Sequence, residues 1–182
     1  MRNTKTANLT MIGLMTAILC IMGPMSLVIP ISPVPISLTN LAIYLAVILL
    51  GMRRGTIVTL VYLFIGFVGV PVFSAFTAGP GKLIGPTGGY LIGFIFLALI
   101  AGYAVDRFPG KIGWTALGMA IGTLVLYILG TAWLAYSAGM TFSQALFAGV
   151  IPFVLGDAIK IALAIMIGFP VKKRLIQAGI LQ

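Results

Sequence analysis

The chain has 182 residues, 61% of them hydrophobic and only 7% charged, and its mean hydropathy of +1.22 lies far outside the range of a soluble domain that must cover its surface with polar groups. It holds no His and no Glu, and its two carboxylates are Asp106 and Asp157, so neither a His-based hydrolytic triad nor a zinc cluster can be assembled within one chain. The formal net charge of +9 does not indicate nucleic acid, because the cations sit at the ends of apolar runs rather than in a patch with interleaved aromatics.

The first apolar run, Ala7 to Ile29, follows Arg2 and Lys5. It is longer than the roughly 7–15 residues of a signal-peptide core and ends at Pro30 with no small-residue cleavage site, so it reads as an uncleaved span. Within it, Gly13 and Ala17 form a small-xxx-small pair that permits close helix approach. The lone Cys20 has no intrachain partner and reads as a packing or lipid-facing thiol. The Pro-rich stretch from Ile29 to Pro35 forbids a continuing helix and predicts a loop of low charge.

Two apolar runs follow, Leu38 to Leu50 and Thr56 to Val70, split by Gly51-Met52-Arg53-Arg54-Gly55, which reads as the tight charged turn of a helical hairpin. Each run is nearer to about 15 residues than to the roughly 20 that cross some 30 Å of hydrocarbon, so flanking loop should also be buried. The stretch Pro71 to Pro86 is the most elaborate loop, and Gly85-Pro86-Thr87-Gly88-Gly89-Tyr90 leads from it into a fourth span ending at Asp106. A fifth span runs from Ile112 to about Tyr136, and a sixth from about Phe142 to Val171, bent at Pro152.

Six spans require alternate connections to be basic or bare. Arg2 and Lys5, Arg53 and Arg54, Arg107 and Lys111, and Lys172, Lys173 and Arg174 fall on one side, leaving only Lys82 on the other. The expected fold is therefore an all-α membrane protein with six transmembrane helices, one domain over residues 1–182, and both termini cytoplasmic. Its location is the cell membrane.

Asp157 and Lys160 lie three apart in the last span and share a helical face. Counting back from Lys172 places them roughly 18–23 Å above the cytoplasmic boundary. Each costs on the order of 2.5–3.5 kcal/mol against lipid, so both should point inward. A buried pair is a poor source of net stability, which favours a binding role over a packing device. A cyclic urea or amide suits them: Asp157 can accept from ring N–H groups while Lys160 donates to a carbonyl, or Lys160 can pair with a substrate carboxylate instead. Rival readings are an ion channel or facilitator lined by Asp157 and Lys160, an intramembrane enzyme, and a purely structural subunit.

The glycines from Gly79 to Gly89 are not a nucleotide loop, since Leu83 rather than Ser or Thr follows Lys82. They let backbone approach a ligand or another helix, and Lys82 can steer an anion. Of the membrane tyrosines, Tyr44, Tyr62 and Tyr127 read as interhelical, whereas Tyr90 directly follows the glycine loop and reads as a ligand contact.

Three stretches together resemble the BioY family, the biotin-specific S components of energy-coupling-factor (ECF) vitamin transporters. They are Pro33 to Leu38, then Gly69-Val70-Pro71-Val72-Phe73 leading to Gly85 through Phe94, and Pro152 through Lys160. The resemblance implies an extracytoplasmic-facing biotin pocket partly closed by the loop before Gly85, with Gly156, Asp157 and Lys160 on the ligand. The expected substrate contacts are Phe73, Thr87, Gly88, Gly89, Tyr90, Gly156, Asp157 and Lys160. No catalytic residue, metal or cofactor is expected, biotin being cargo. The implied partners are a transmembrane coupling subunit and two ATPase subunits, docking on Gly13 and Ala17. Thr39 stands where the family often carries Gln, so no polar contact is assigned to it.

Overall fold

The computed structural model describes residues 4–27 and 33–181. Helix α1 (Thr4–Met22) is shorter than the apolar run that predicts it. It stops where Gly23, pressed against the Val72 carbonyl and the Tyr62 hydroxyl with no room for a side chain, is followed by Pro24. Strands β1 (Ser26–Leu27) and β2 (Ile36–Ser37) then pair antiparallel, Ser26 opposite Ser37. Between them Ile29, Pro30, Ile31 and Ser32 of the expected loop lie outside the described residues.

Helix α2 (Thr39–Phe67) doubles back on itself at Gly51, whose φ of 78° and ψ of −178° leave the helical region. A positive φ of this kind suits glycine because there is no Cβ to clash. Gly55 consequently returns against the backbone of Val47, two residues that a straight helix would hold about 12 Å apart. The hairpin is as expected, but the reversal sits at Gly51 alone, and Arg53 and Arg54 belong to the first turn of the second limb. Cations there oppose the helix dipole. The Asp106 carboxylate offsets them by accepting the Met52 N–H at 2.9 Å.

A 3-10 turn (Ser74–Phe76) and the short α3 (Pro80–Ile84) occupy the long loop. Then come α4 (Gly88–Arg107), α5 (Ile112–Ala138), α6 (Phe142–Gly149) and α7 (Ile151–Gln177). The expected sixth span is thus two helices. A capping box between Thr141 and Gln144 starts α6, the backbone breaks at Val150 (φ −128°, ψ −58°), and Pro152 opens α7 rather than bending it, the position where a missing N–H costs nothing.

Among the described residues, five helices are long and apolar enough to cross a membrane. With α2 folded into two limbs, they supply six membrane segments. The protein is a multi-pass protein of the cell membrane, and its exposed Leu, Ile and Phe side chains face lipid, not water. The α2 hairpin is the most enclosed element, whereas α1, α5 and α7 turn most of their surface outward. Helices α4 and α5 approach closely because Gly118 and Gly122 of α5 lie on Ala104 and Leu97 of α4, and Gly93 of α4 lies on Leu126.

Candidate functional site

The buried residues of α7 are Phe153, Asp157, Lys160, Ala164 and Gly168. Their spacing is one helical stripe, and neighbours off it, such as Leu155 and Met166, are exposed. The ion pair therefore lies on the single face of α7 that meets the bundle. Asp157 is 3% exposed and Lys160 8%, so neither charge is left to lipid.

Lys160 Nζ donates to Asp157 Oδ1 at 2.8 Å. The other carboxylate oxygen takes two further donors from other helices, Tyr127 Oη of α5 at 2.6 Å and Asn40 Nδ2 of α2 at 3.1 Å. Asp157 thus ties three helices together, and its charge is compensated by one ammonium and two neutral donors, the condition under which a buried carboxylate is tolerable.

These groups form one wall of a pocket enclosed between the helices. The start of α2 contributes Thr39 and Asn40, its second limb Tyr62, and the segment leading into it Val34, Pro35 and Ser37. The start of α4 gives Thr87, Tyr90, Leu91 and Phe94, α5 gives Leu126 and Tyr127, and α6 and α7 give Gly149 and Phe153. Apolar and aromatic walls with a few convergent polar groups are the usual make-up of a site for a small amphipathic ligand.

Tyr90 is locked in place. Gly130 and Gly149 leave room for its ring, and its hydroxyl donates to the Gly149 carbonyl at 3.0 Å, so what it offers the cavity is a flat apolar face. Thr87 is the converse. It precedes α4 without capping it, is 7% exposed, and its hydroxyl has no hydrogen-bond partner among the described residues.

Thr87, Tyr90, Asp157 and Lys160, all expected from the sequence, come together here. Phe73, Gly88, Gly89 and Gly156 do not line the cavity. Phe73 is fully buried over Gly66 and meets Tyr62 edge-on, with ring centroids 5.6 Å apart. Tyr62 in turn donates to the Val72 carbonyl at 3.0 Å, so Phe73 holds the long loop from behind a wall residue. Gly88 and Gly89 are crowded against Leu83 and Trp133, and Trp133 Nε1 donates to the Gly85 carbonyl at 2.9 Å. They let the loop close down on α5. Gly156 lies one residue off the buried stripe, with open space around it.

Sequence reasoning missed Asn40 and reads Tyr127 only as interhelical. Asn40 offered a signal, a carboxamide inside an apolar run where an unpaired polar group is expensive. Tyr127 offered none, since nothing local separates it from Tyr44, which pairs with Thr123 in the core. Thr39 lines the cavity, and its hydroxyl accepts from Ser37 at 2.9 Å. Outside the membrane segments, partial burial lowers Lys82 below the ordinary lysine range. On α1, Gly13 and Ala17 lie on the exposed face, and none of the described residues approaches within 4 Å of the position a Cβ on Gly13 would take.

Comparison with known proteins agrees with this architecture. The BioY family model matches residues 1–177. The biotin transporter BioY2 of Lactococcus lactis subsp. cremoris is 35% identical over 168 residues, covering 92% of this chain and 91% of that protein. The biotin transporter BioY of Thermotoga maritima is 35% identical over 161 residues, covering 88% and 93%. The crystal structure at 2.1 Å of the S-component for biotin from an ECF-type ABC transporter superposes with a TM-score of 0.88 at 28% identity, covering 95% of this chain and 94% of that one.

Proposed function

The chain belongs to the BioY family, and on that premise we propose that it is the biotin-binding, substrate-specificity component of an ECF-type vitamin importer, taking biotin from the extracytoplasmic side. It is a transport component, not an enzyme. The observation that carries the reading is the Asp157–Lys160 pair, 2.8 Å apart, in the wall of an otherwise largely apolar cavity. Biotin's ureido ring offers two donors and one acceptor to such a pair, while its thioether ring and aliphatic tail suit Tyr90, Phe94, Leu126 and Phe153. Thr87 supplies a further polar contact.

The whole chain acts as one six-helix domain. Phe73, Gly88 and Gly89 shape the site from behind its wall, and Gly156 spaces α7 without touching the ligand. Gly13 and Ala17 form a smooth outward face on α1 for the transmembrane coupling subunit, which works with two ATPase subunits. The sequence carries no nucleotide-binding loop of its own, so uphill transport draws on those partners. The test is calorimetric titration of the purified protein with biotin and, separately, other vitamins. Saturable binding of biotin in preference to the rest is expected; no biotin binding by monodisperse protein refutes the reading.

A further inference from the structure

The acceptors around the ion pair are already heavily used. A carboxylate offers about four lone-pair sites. Both sites on Asp157 Oδ2 are filled, by Tyr127 and Asn40, and one on Oδ1 is filled by Lys160. A single site on Oδ1 is left. A cyclic urea has two N–H donors to satisfy, and a buried donor left unmet costs roughly 1–3 kcal/mol. Asp157 cannot meet both.

Asn40 sits beside it with the required group. An ionised carboxylate only accepts, so the Asn40 amide must present its NH₂ to Asp157, and that contact fixes which end is nitrogen. The carboxamide oxygen then faces away from Asp157. Asn40 lines the cavity and is 7% exposed, and the side-chain hydrogen bond it makes among the described residues is the one from Nδ2 to Asp157, which leaves Oδ1 for a ligand. It is held in orientation by the same carboxylate that the ligand addresses.

We propose that Asn40 is a specificity-determining residue whose Oδ1 accepts one ureido N–H while Asp157 Oδ1 accepts the other, an inference that rests on biotin being the occupant of this cavity. Lys160, with donors to spare beyond its bond to Asp157, faces the ureido carbonyl. The arrangement selects an intact cyclic urea over a lactam, because removing either N–H leaves one of the two acceptors unpaired, and that discrimination is the function of the residue.

The test pairs substitutions with ligand deletions. Purified wild type, Asn40→Ala and Asn40→Leu are titrated with biotin and with the two lactam analogues in which one or the other ring N–H is replaced by CH₂. Asn40→Leu keeps the side-chain volume if the alanine variant proves unstable. Loss of about tenfold for biotin is expected in either variant, retained for one lactam and abolished for the other, whose missing N–H is the one Asn40 takes. An equal loss for all three ligands would mean that Asn40 acts only through Asp157, and no loss would mean that it does not act at all; both overturn the proposal. Failure of the wild type to bind biotin is a separate outcome that removes the underlying reading and this inference with it.

Discussion

Tyr127 of α5 donates its phenolic proton to Asp157 of α7 at 2.6 Å, a bond between helices that touches a charge and lies in the wall of the cavity. Tyr44 makes a bond of the same kind to Thr123 but is wholly buried in the core and lines no part of the cavity. The two tyrosines separate ligand binding from packing. Tyr127→Phe should weaken biotin binding by about tenfold, since hydrogen bonds to charged groups contribute roughly 1.5–3 kcal/mol. Tyr44→Phe should leave affinity within twofold and cost about 1 kcal/mol of stability. Calorimetry and thermal denaturation of both variants in one detergent check the pair.

Lys160 is bonded to Asp157 on the inward stripe of α7, and the proposed binding mode sets it against the ureido ring rather than the end of the aliphatic tail. Lys160→Met should weaken biotin and its uncharged carboxamide derivative by the same factor, about tenfold or more. A loss confined to biotin itself, measured by the same titrations, would assign Lys160 to the carboxylate.

The hairpin reversal depends on Gly51, whose φ is 78° and whose missing Cβ leaves room for the Asp106 carboxylate. Gly51→Ala should destabilise the fold by about 1–3 kcal/mol from the backbone conformation alone, with more from the contact. The folded fraction should keep its biotin affinity, because the turn lies at the far end of the first limb of α2 from Asn40. Thermal melts and titrations of the same preparation test both halves of that statement.

On α1, Gly13 and Ala17 face outward beside exposed Leu9 and Leu14. Gly13→Leu should leave biotin titrations unchanged, since no described residue comes within 4 Å of the Cβ position there and the face is turned outward. Co-purification with the coupling subunit should fall sharply, because a small-residue face is what allows close helix approach.

Much of this was legible in the sequence because membrane solvation imposes long-range order that single residues report. Hydropathy and the one-sided placement of Lys and Arg are enough to predict the number of membrane segments, and a three-residue spacing in an apolar helix is enough to bring Asp157 and Lys160 onto one inward face. The break at Val150 was hidden, since α6 and α7 are both apolar and Pro152 is compatible with a bend or a new start. The surroundings of Gly88 and Gly89 were hidden for a related reason. Glycine signals close approach without naming what approaches, and here it is Trp133. Tyr127 belongs to the site only because three helices meet at one carboxylate, a relation with no local trace, whereas Asn40 is marked in the sequence only as a carboxamide inside an apolar run.

The most direct test of the central claim is the biotin affinity of Asp157→Asn beside that of the wild type. The variant keeps the shape of the side chain but loses the charge that holds Lys160 and accepts from the ligand, so binding should weaken by at least about tenfold while the protein remains folded and monodisperse. Unchanged affinity in a monodisperse variant would contradict the account.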